Sequence, residues 1–382
     1  MKIFLSFFQS KTKHPIPAYS FWEYYIKNGI EEAGYEWIEC PDVDWALGRV
    51  SKTKQAQLNW KQDAWQKTID FLKANPADLF LSYLYPDQID TSAIEQIRKT
   101  GIPCINFFCD HIRDFTTLPK EFAAFDLNWV PEYKAIQQYK KAGYPYINLP
   151  MPMWVAPQYR ILQPEVNSQI TFIGSKDIQR HLMFESVVKQ DPIVDLAIYG
   201  SGWTPSADIQ QELKPYGLHK KIWFQFQQLN QYGINGYTEK LKRRSYTGQI
   251  SIALQSKIHG VPPAEEYNRL TSGSMITVGV NRYPSYLFPL AKPDTYSRLR
   301  DIEAPMLGAC YLTEWTEGIE QLYDINNEIE TYTTPEDFLQ KTALLKNDVI
   351  KRKNLKTNGQ KRALNNHSIP ASLKEILCTL NL

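Results

Sequence analysis

Short apolar runs alternate with amphipathic runs along most of this chain, in two series that a proline-rich stretch separates. Apolar runs of about four to eight residues predict buried strands, and apolar side chains repeated every three or four positions predict helices. Strands that alternate with helices form a mostly parallel sheet with helices on both faces. The sequence therefore predicts an α/β fold built in two halves.

The first series opens with a strand at residues 1–8, a helix at 19–33 that Gly34 ends, and a strand at 35–40. This order is typical of a βαβ unit. The later elements predicted for this half are a helix at 64–74, a strand at 77–83, a helix at 91–99, strands at 104–108 and 127–130, and a helix at 132–142.

Five prolines fall within residues 145–168, where the periodicity is lost, and such a stretch is typical of a linker. A chain of 382 residues also exceeds the size at which one hydrophobic core keeps growing. We therefore predict a first domain over residues 1–155 and a second over 165–362, with a C-terminal helix near 365–382 that packs back on the first.

The second series has the same rhythm as the first. Its predicted elements are a strand at 169–173, a helix at 177–189, strands at 195–199 and 275–280, and between these two a helix at 263–271. Pro305 predicts a further helix, because proline is tolerated in a first turn, where its missing N–H would have no partner. This places Glu303 at a helix entrance, where unpaired backbone N–H groups attract phosphate.

The charge and cysteine patterns exclude several classes of protein. Lys and Arg total 43 against 41 for Asp and Glu, a formal charge of +2 that gives no global attraction to nucleic acid or membranes. The five cysteines contain no CxxC pair, so neither a disulfide framework nor a zinc cluster is indicated. No run approaches the roughly 18 to 20 apolar residues of a membrane span. We therefore expect a cytoplasmic protein without a transmembrane segment.

The order Arg-x-x-Glu-Ala-Pro-x-x-Gly-Ala at residues 300–309, followed by Leu-Thr-Glu at 312–314, resembles the C-terminal half of the CgeB-like glycosyltransferases. The likeness extends over residues 170–367, through the segments 170–175, 317–323, 332–338 and the closing Gly-x-x-Arg at 359–362 with His367. It implies a GT-B fold, in which two Rossmann-like domains with parallel sheets face an interdomain cleft. It also implies transfer of a sugar from a nucleotide-sugar donor to an acceptor hydroxyl, with a retaining mechanism.

Three charged residues are candidates for binding the donor. The resemblance implies that Glu303 accepts hydrogen bonds from the ribose hydroxyls, which an ionised carboxylate can do for both. Arg180 lies about one turn inside the helix that follows the strand at 169–173, and its planar guanidinium suits a diphosphate. Arg300 either shares that role or only pairs with Glu303 three residues later.

The remaining candidates for binding the donor are three uncharged residues and one histidine. Gly174 and Ser175 form a turn at a strand end, where the backbone can approach phosphate closely. His259 ends a predicted strand where GT-B enzymes contact the nucleobase, and it is either a donor contact or a structural residue. Asn281 follows the strand at 275–280 and would open toward the same cleft.

In the first half, Asp110 and His111 come directly after the strand at 104–108, at the edge where ligands bind in open α/β sheets. We predict that Asp110, with His111, contacts or deprotonates the acceptor hydroxyl. His14 is a weaker acceptor-side candidate. In the retaining mechanism that the resemblance implies, the leaving phosphate can assist instead, and a dedicated base is then unnecessary.

We predict that the reaction needs no cofactor and no metal, since no Asp-x-Asp follows a strand in a position suited to Mg²⁺. Basic side chains and helix entrances then offset the charge that develops on the leaving nucleoside diphosphate.

The segment near residues 205–255 does not fit the family and is interpreted as an insertion. Its cations and aromatic residues, at 220–226 and 240–244, fit a solvated helical flap, an anionic acceptor, a membrane surface or single-stranded nucleic acid. The acceptor is thus undetermined among a glycan, a lipid-linked sugar, a protein and modified nucleic acid. Two alternative functions stay open: a DNA-base glycosyltransferase that grips nucleic acid with the insertion, and a non-catalytic nucleotide-sugar binding module.

Overall fold

The computed structural model describes residues 1–10, 18–50, 53–204, 246–283 and 293–382, together with Leu229, Ile234 and Thr238. The chain divides into two compact units. Unit 1 comprises Met1–Ala156 and Ala363–Leu382, and unit 2 comprises Pro157–Arg362. The segments at 220–226 and 240–244 lie outside the described residues.

Unit 1 contains a six-stranded sheet whose strands are all parallel, in the order β2-β1-β3-β4-β5-β6. The strands are β1 (Lys2–Ser6), β2 (Glu36–Ile38), β3 (Leu79–Ser82), β4 (Cys104–Phe107), β5 (Leu127–Trp129) and β6 (Tyr146–Ile147). The helices are α1 (Ala18–Glu32), α2 (Lys54–Ala74), α3 (Thr91–Lys99), α4 (His111–Asp114) and α5 (Ile136–Ala142), with 3₁₀ turns at Ala46–Arg49, Lys120–Ala124 and Tyr133–Ala135.

The strands predicted in unit 1 are confirmed to within two residues at each end. Except in the edge strand β2, whose residues are exposed or partly exposed, their residues are mostly apolar and buried on both faces of the sheet.

Helices α2 and α5 and strand β6 differ from the prediction, and α4 was not predicted. Helix α5 begins at Ile136, after the 3₁₀ turn at Tyr133–Ala135, four residues later than predicted. Helix α2 begins at Lys54, capped by the Thr53 hydroxyl, ten residues before the predicted start, because its first turns are exposed and carry no apolar period. Strand β6 lies inside the proline-rich stretch, where a two-residue strand leaves no pattern.

Unit 2 contains a second parallel sheet, in the order β12-β11-β10-β7-β8-β9. Read from β9, this is the Rossmann order 3-2-1-4-5-6, in which the chain reverses direction across the sheet between β7 and β10. The strands are β7 (Ile170–Ile173), β8 (Leu196–Tyr199), β9 (Ile258–Gly260), β10 (Ile276–Gly279), β11 (Tyr311–Glu314) and β12 (Glu330–Tyr332).

The helices of unit 2 cover this sheet around an apolar core that includes Phe172, Phe184, Trp203, Leu312 and Phe338. They are α6 (Ile178–Gln190), α7 (Ile252–Gln255), α8 (Ala264–Gly273), α9 (Arg300–Met306), α10 (Ile319–Leu322), α11 (Pro335–Asn347) and α12 (Val349–Asn366), with a 3₁₀ turn at Pro157–Tyr159.

The division between the units falls inside α12, after Arg362. The last helix, α13 (Ile369–Leu380), packs on α1 within unit 1. Gly29 of α1 makes this contact possible, since a Cβ there would lie 2.5 Å from Cβ of Ile369.

Candidate active site

The topology of unit 2 brings several predicted residues to one edge of its sheet. In open α/β sheets, ligands bind outside the carboxyl ends of the strands at the point where the strand order reverses. That point lies between β7 and β10. Gly174 and Ser175 follow β7, and Asn281 follows β10 by two residues.

The turn after β7 is tightly packed against its neighbours. The Gly174 carbonyl accepts a hydrogen bond from Trp203 Nε1 at 2.8 Å, and a Cβ on Gly200 would lie 2.2 Å from that carbonyl oxygen. Gly200 also has a φ of 138°, which L side chains rarely adopt. Asp177 then caps α6, since its Oδ1 accepts from the Arg180 N–H at 2.9 Å.

Three arginines converge beside this turn. Arg180 Nη1 donates to the Ser175 carbonyl at 2.8 Å, and Arg300 Nη2 donates to the carbonyl of Ile173 at 3.0 Å. Burial lowers the pKa of Arg180 to about 10, with the positive charges of Arg298 and Arg300 adding to the effect. The buried Nε of Arg298 donates no hydrogen bond within the described ranges. The three guanidinium groups concentrate positive charge beside the turn after β7, and a bound anion would reduce the repulsion between them.

Glu303 occupies the first turn of α9, as predicted, but not for the reason given by the sequence. The helix begins at Arg300, so Pro305 is its sixth residue and was wrongly placed in the first turn. Without an N–H, Pro305 cannot donate to the Asp301 carbonyl one turn earlier. The hydroxyl of Tyr323 donates to that carbonyl instead, at 2.8 Å. The Asp301 carbonyl, which Pro305 leaves without its helical donor, therefore accepts a hydrogen bond from a side chain at the C-terminal end of α10.

One oxygen of the Glu303 carboxylate accepts a hydrogen bond from a described side chain and the other does not. Oε2 accepts from the Tyr267 hydroxyl at 2.5 Å and lies 3.7 Å from Arg300 Nε. Oε1 has no hydrogen-bond partner among the described residues, although Glu303 is only 8% exposed. Sequence reasoning missed Tyr267. Its place in the first turn of α8, directly after β9, was the available signal.

Asp301 connects the elements behind Glu303. It is completely buried, and burial raises the pKa of its carboxyl against the opposing effect of its donors. Its oxygens accept hydrogen bonds of 2.8–3.0 Å from the hydroxyls of Ser297, Tyr311 and Thr313, the side-chain amide of Asn281 and the main-chain N–H of Arg298. The network fixes α9 to β10 and β11.

Asn281 was predicted to contact the donor, and its side-chain amide instead bonds to Asp301, Thr313 and the Glu314 carbonyl. Its side chain is 1% exposed, and these hydrogen bonds connect the end of β10 to α9 and β11. Gly279 leaves the space for this network, because a Cβ there would lie 2.2 Å from the Tyr311 hydroxyl.

A buried ion pair lies beside these residues. Arg282 Nε donates to Glu314 Oε1 at 2.7 Å, and both side chains are less than 10% exposed. Burial raises the pKa of Glu314, and the Arg282 charge opposes that shift. Arg298 in turn donates to the Arg282 carbonyl, so the ion pair supports one of the three arginines beside the turn after β7.

His259 lies on the edge strand β9, which β8 separates from β7. Its exposed ring stacks on Tyr199 with the centroids 5.0 Å apart and the planes 20° apart, at the ends of the edge strand β9 and of β8. Burial raises the pKa of Tyr199, and Glu266 of α8 contributes in the same direction. The two rings therefore lie near the N-terminal half of the helix that carries Tyr267.

The closing segment of the sequence resemblance supports α9 and its surroundings. Gly359 of α12 lies against the Glu328 carbonyl, which a Cβ would approach to 2.4 Å, and against Pro305. Arg362 Nε donates to the Leu322 carbonyl at the end of α10, at 2.9 Å.

In unit 1, Asp110 and His111 follow β4 as predicted, and their environments differ. Asp110 is partly exposed and pairs with Arg113 Nη2 at 2.9 Å. The His111 ring is completely buried: Nε2 bonds to the Tyr139 hydroxyl at 2.8 Å, and Nδ1 lies 3.4 Å from Glu132 Oε2. His14 lies outside the described residues.

The sequence model of the glycosyl transferase-like family matches residues 179–377, just over half of the chain and nearly all of unit 2. The chain belongs to that family. It is therefore a glycosyltransferase, as the sequence predicted. Comparison with curated proteins gives no match.

Several solved structures share the fold of this glycosyltransferase. A glycosyltransferase of Rickettsia africae ESF-5 is 11% identical, with a TM-score of 0.59, over 99% of this chain and 97% of that chain. HepE of Anabaena, in complex with UDP, is 11% identical with a TM-score of 0.58, covering 100% of both chains. Sucrose-phosphate synthase of Thermosynechococcus elongatus is 12% identical with a TM-score of 0.54, over 99% and 98%. The predicted GT-B fold is confirmed.

No helix in the described residues has the length and apolar character needed to cross a membrane. No group of three or more His, Cys, Asp or Glu side chains in the same ranges is arranged to hold a metal ion.

Proposed function

We propose that this glycosyltransferase transfers a sugar from a nucleoside-diphosphate donor, bound by unit 2, to an acceptor hydroxyl. The observation that carries the proposal is the meeting of three arginines and a half-engaged carboxylate at the carboxyl edge of β7 and β10. The UDP complex of the Anabaena neighbour supports the choice of donor class.

We propose that Arg180, Arg298 and Arg300, here called the arginine cluster, bind the diphosphate. The positive charges of Arg180, Arg298 and Arg300 repel one another, and each guanidinium can donate two parallel hydrogen bonds to phosphate oxygens. Gly174 and Ser175 let the backbone approach the same phosphates. Binding a dianion there exchanges repulsion for charge-assisted hydrogen bonds, which is why the cluster fits a leaving group that gains negative charge.

We assign the donor ribose to Glu303. Its Oε1 is available to accept from a hydroxyl, while Tyr267 and Arg300 keep Oε2 in place. His259, stacked on Tyr199, is the proposed contact for the nucleobase, because a stacked pair of rings presents a further aromatic face.

In the proposed reaction, the bond between the anomeric carbon and the diphosphate oxygen breaks, and its electron pair leaves with the nucleoside diphosphate. A bond forms between that carbon and the acceptor oxygen. The acceptor proton passes to Asp110 or to the leaving diphosphate. His111, being buried, would act only through its neighbours, as a positioning residue for the segment that carries Asp110.

We propose membership of the CgeB-like group, a retaining outcome and metal-independent chemistry in which arginines offset the charge of the leaving group. We also propose a cytoplasmic location, where an exposed thiol such as Cys378 stays reduced.

The test is thermal unfolding of the protein with UDP, GDP and dTDP, followed by assays with the corresponding nucleotide sugars. One nucleotide should raise the melting temperature, since binding stabilises the fold by about 2.7 kcal/mol at a ligand concentration of 100 times Kd. Arg180→Gln should then weaken binding about tenfold or more, whereas Arg98→Gln, which breaks a partly exposed pair with Asp126 in unit 1, should not.

If no nucleoside diphosphate binds, the proposed function is wrong. Binding without turnover of any nucleotide sugar would instead support the non-catalytic binding module.

A further inference from the structure

Two short segments of unit 2 pair with each other beside the arginine cluster. Residues 281–283 and 294–296 run antiparallel, with Arg282 opposite Thr295. Two main-chain hydrogen bonds, of 2.9 and 3.0 Å, join the segments. These six residues are called the paired segment below. It begins two residues after β10, at the edge of the sheet where the donor is proposed to bind.

The paired segment carries two stacked tyrosines. The ring centroids of Tyr283 and Tyr296 are 4.1 Å apart, and the ring planes lie within 13° of parallel. Tyr283 is completely buried, whereas Tyr296 is partly exposed. Stacking on a buried ring restricts the orientation of its partner. The Tyr283 ring therefore fixes the position of the Tyr296 ring.

Arg298 is held by the paired segment through two contacts. Its guanidinium carbon lies 4.8 Å from the centroid of the Tyr296 ring, within the range of a cation–π interaction. Its Nη2 donates to the main-chain carbonyl of Arg282. Arg282 is fixed in turn by its buried ion pair with Glu314. The contacts described for the Arg298 guanidinium therefore both lie on the paired segment.

The other two arginines of the cluster have different anchors. Arg180 donates to the Ser175 carbonyl at 2.8 Å, and Arg300 donates to the Ile173 carbonyl at 3.0 Å. Both carbonyls belong to the end of β7 and the turn after it. A change in the paired segment should therefore displace Arg298 and leave Arg180 and Arg300 in place.

Arg298 has hydrogen-bonding capacity left for a ligand. Its buried Nε has no acceptor among the described residues. A buried donor without an acceptor is costly, and a phosphate oxygen would supply the missing acceptor. A guanidinium that is oriented before the ligand arrives can also offset developing charge without reorganisation.

We infer that Tyr296, stacked on Tyr283, is a positioning residue that directs Arg298 at the leaving diphosphate. The inference rests on the proposed function and adds a residue that controls how strongly the site stabilises the leaving group. The diphosphate gains negative charge when its bond to the sugar breaks. A correctly placed Arg298 should therefore favour the free nucleoside diphosphate over the intact nucleotide sugar.

The experiment measures two affinities in variants of the whole chain. The ligands are whichever of UDP, GDP and dTDP raises the melting temperature most, and the nucleotide sugar of that base that binds most tightly from a panel. Isothermal titration gives both Kd values. Tyr296→Leu removes the ring, Tyr296→Phe keeps it, and Arg298→Gln removes the charge that the ring is inferred to place.

Tyr296→Leu and Arg298→Gln should each weaken binding of the nucleoside diphosphate about tenfold or more, and binding of the nucleotide sugar less. Tyr296→Phe should restore both affinities to near the wild-type level, because the stacked ring is retained. Tyr24→Leu, at a tyrosine of unit 1 that is 50% exposed, is the matched control and should bind both ligands as the wild type does.

A double-mutant cycle separates positioning from a general loss of structure. In the Arg298→Gln background, Tyr296→Leu should change the diphosphate affinity little, because the ring then has no guanidinium to hold. In the Tyr267→Phe background, which alters the ribose side, it should keep its full effect. If Tyr296→Leu does not fold, Tyr296→Met, which fills similar space without a ring, takes its place.

Three results would overturn the inference while leaving donor binding intact. They are a full effect of Tyr296→Leu in the Arg298→Gln background, an equal loss of affinity for the two ligands, and a Tyr296→Phe variant as weak as Tyr296→Leu. A wild-type protein that binds no nucleoside diphosphate overturns the proposed function, and the role of Tyr296 with it.

Discussion

Tyr267 and Glu303, 36 residues apart on α8 and α9, meet with 2.5 Å between the phenol oxygen and Oε2. The Arg300 guanidinium packs over the Tyr267 ring at 5.1 Å from its centroid and approaches the same carboxylate oxygen. Because Oε2 is bonded on one side, the orientation of Oε1 is set before any ligand arrives. Such preorganisation lowers the entropy that binding must offset.

Replacing Tyr267 by Phe should weaken binding of the nucleoside diphosphate about tenfold, because a hydrogen bond to a charged group contributes roughly 1.5–3 kcal/mol. The effect should depend on the ribose. Isothermal titration with UDP and its 2′- and 3′-deoxy analogues should show that the variant discriminates less against the deoxy compounds than the wild type does.

Tyr24→Phe is the control for this substitution, since the Tyr24 ring lies in unit 1 and is 50% exposed. Equal preference for ribose in the Tyr267→Phe variant and the wild type would contradict the orienting role.

Asp301→Asn should destabilise unit 2 by about 2–4 kcal/mol, because an amide group would direct N–H atoms at donors that now bond to a carboxylate. The Tyr311 and Thr313 hydroxyls, both 2.8 Å from Oδ1, would lose an acceptor. Urea denaturation measures the loss. Asp324→Asn, at an exposed position two residues after the end of α10, is the comparison and should change stability by less than about 0.5 kcal/mol. Equal stability of the two variants would refute the central role of Asp301.

Local patterns predicted the elements of this fold, and tertiary contacts decided the rest. Strand β7 follows from its apolar run, and Glu303 lies in a first helical turn as predicted, although the proline argument behind that prediction was wrong. The hydrogen bond from the Tyr323 hydroxyl to the Asp301 carbonyl allows Pro305 to lie inside α9. No local sequence pattern predicts this bond, since the two residues lie 22 positions apart. His111 illustrates the same limit: its place after β4 was predictable, but its burial against Tyr139 depends on a helix 28 residues away.

Gly359→Ala should destabilise the protein although alanine is the better helix former. The added Cβ would lie 2.4 Å from the Glu328 carbonyl oxygen, a backbone atom that cannot rotate away. Overpacking of this kind costs about 1–3 kcal/mol, against a gain of roughly 1 kcal/mol in helix propensity. Denaturation midpoints should therefore fall. Lys361→Ala, exposed on the same helix, should leave them nearly unchanged, and a stabilised Gly359→Ala variant would show that α12 can shift.

The buried ammonium of Lys356 should make stability depend on pH in alkaline solution. Its Nζ donates to the carbonyls of Gln163 and Ser272 at 2.8 and 2.9 Å, and burial lowers its pKa below 10.5, with Glu165 opposing the shift. Cys310, the nearby thiol, has its pKa raised by burial to about 12 and stays protonated below that pH.

Because the folded protein holds the Lys356 proton less tightly than the unfolded chain, the unfolded state binds more protons in this range and stability rises with pH. The penalty for the buried charge is fully present below the lowered pKa and disappears as the pH approaches 10.5. Relative to Lys356→Met, the wild type should therefore gain stability in urea denaturation as the pH rises toward 10.5. The difference between the wild type and Lys353→Met, which alters an exposed lysine of α12, should stay flat. A flat difference for Lys356→Met as well would mean that the ammonium is not destabilised by its burial.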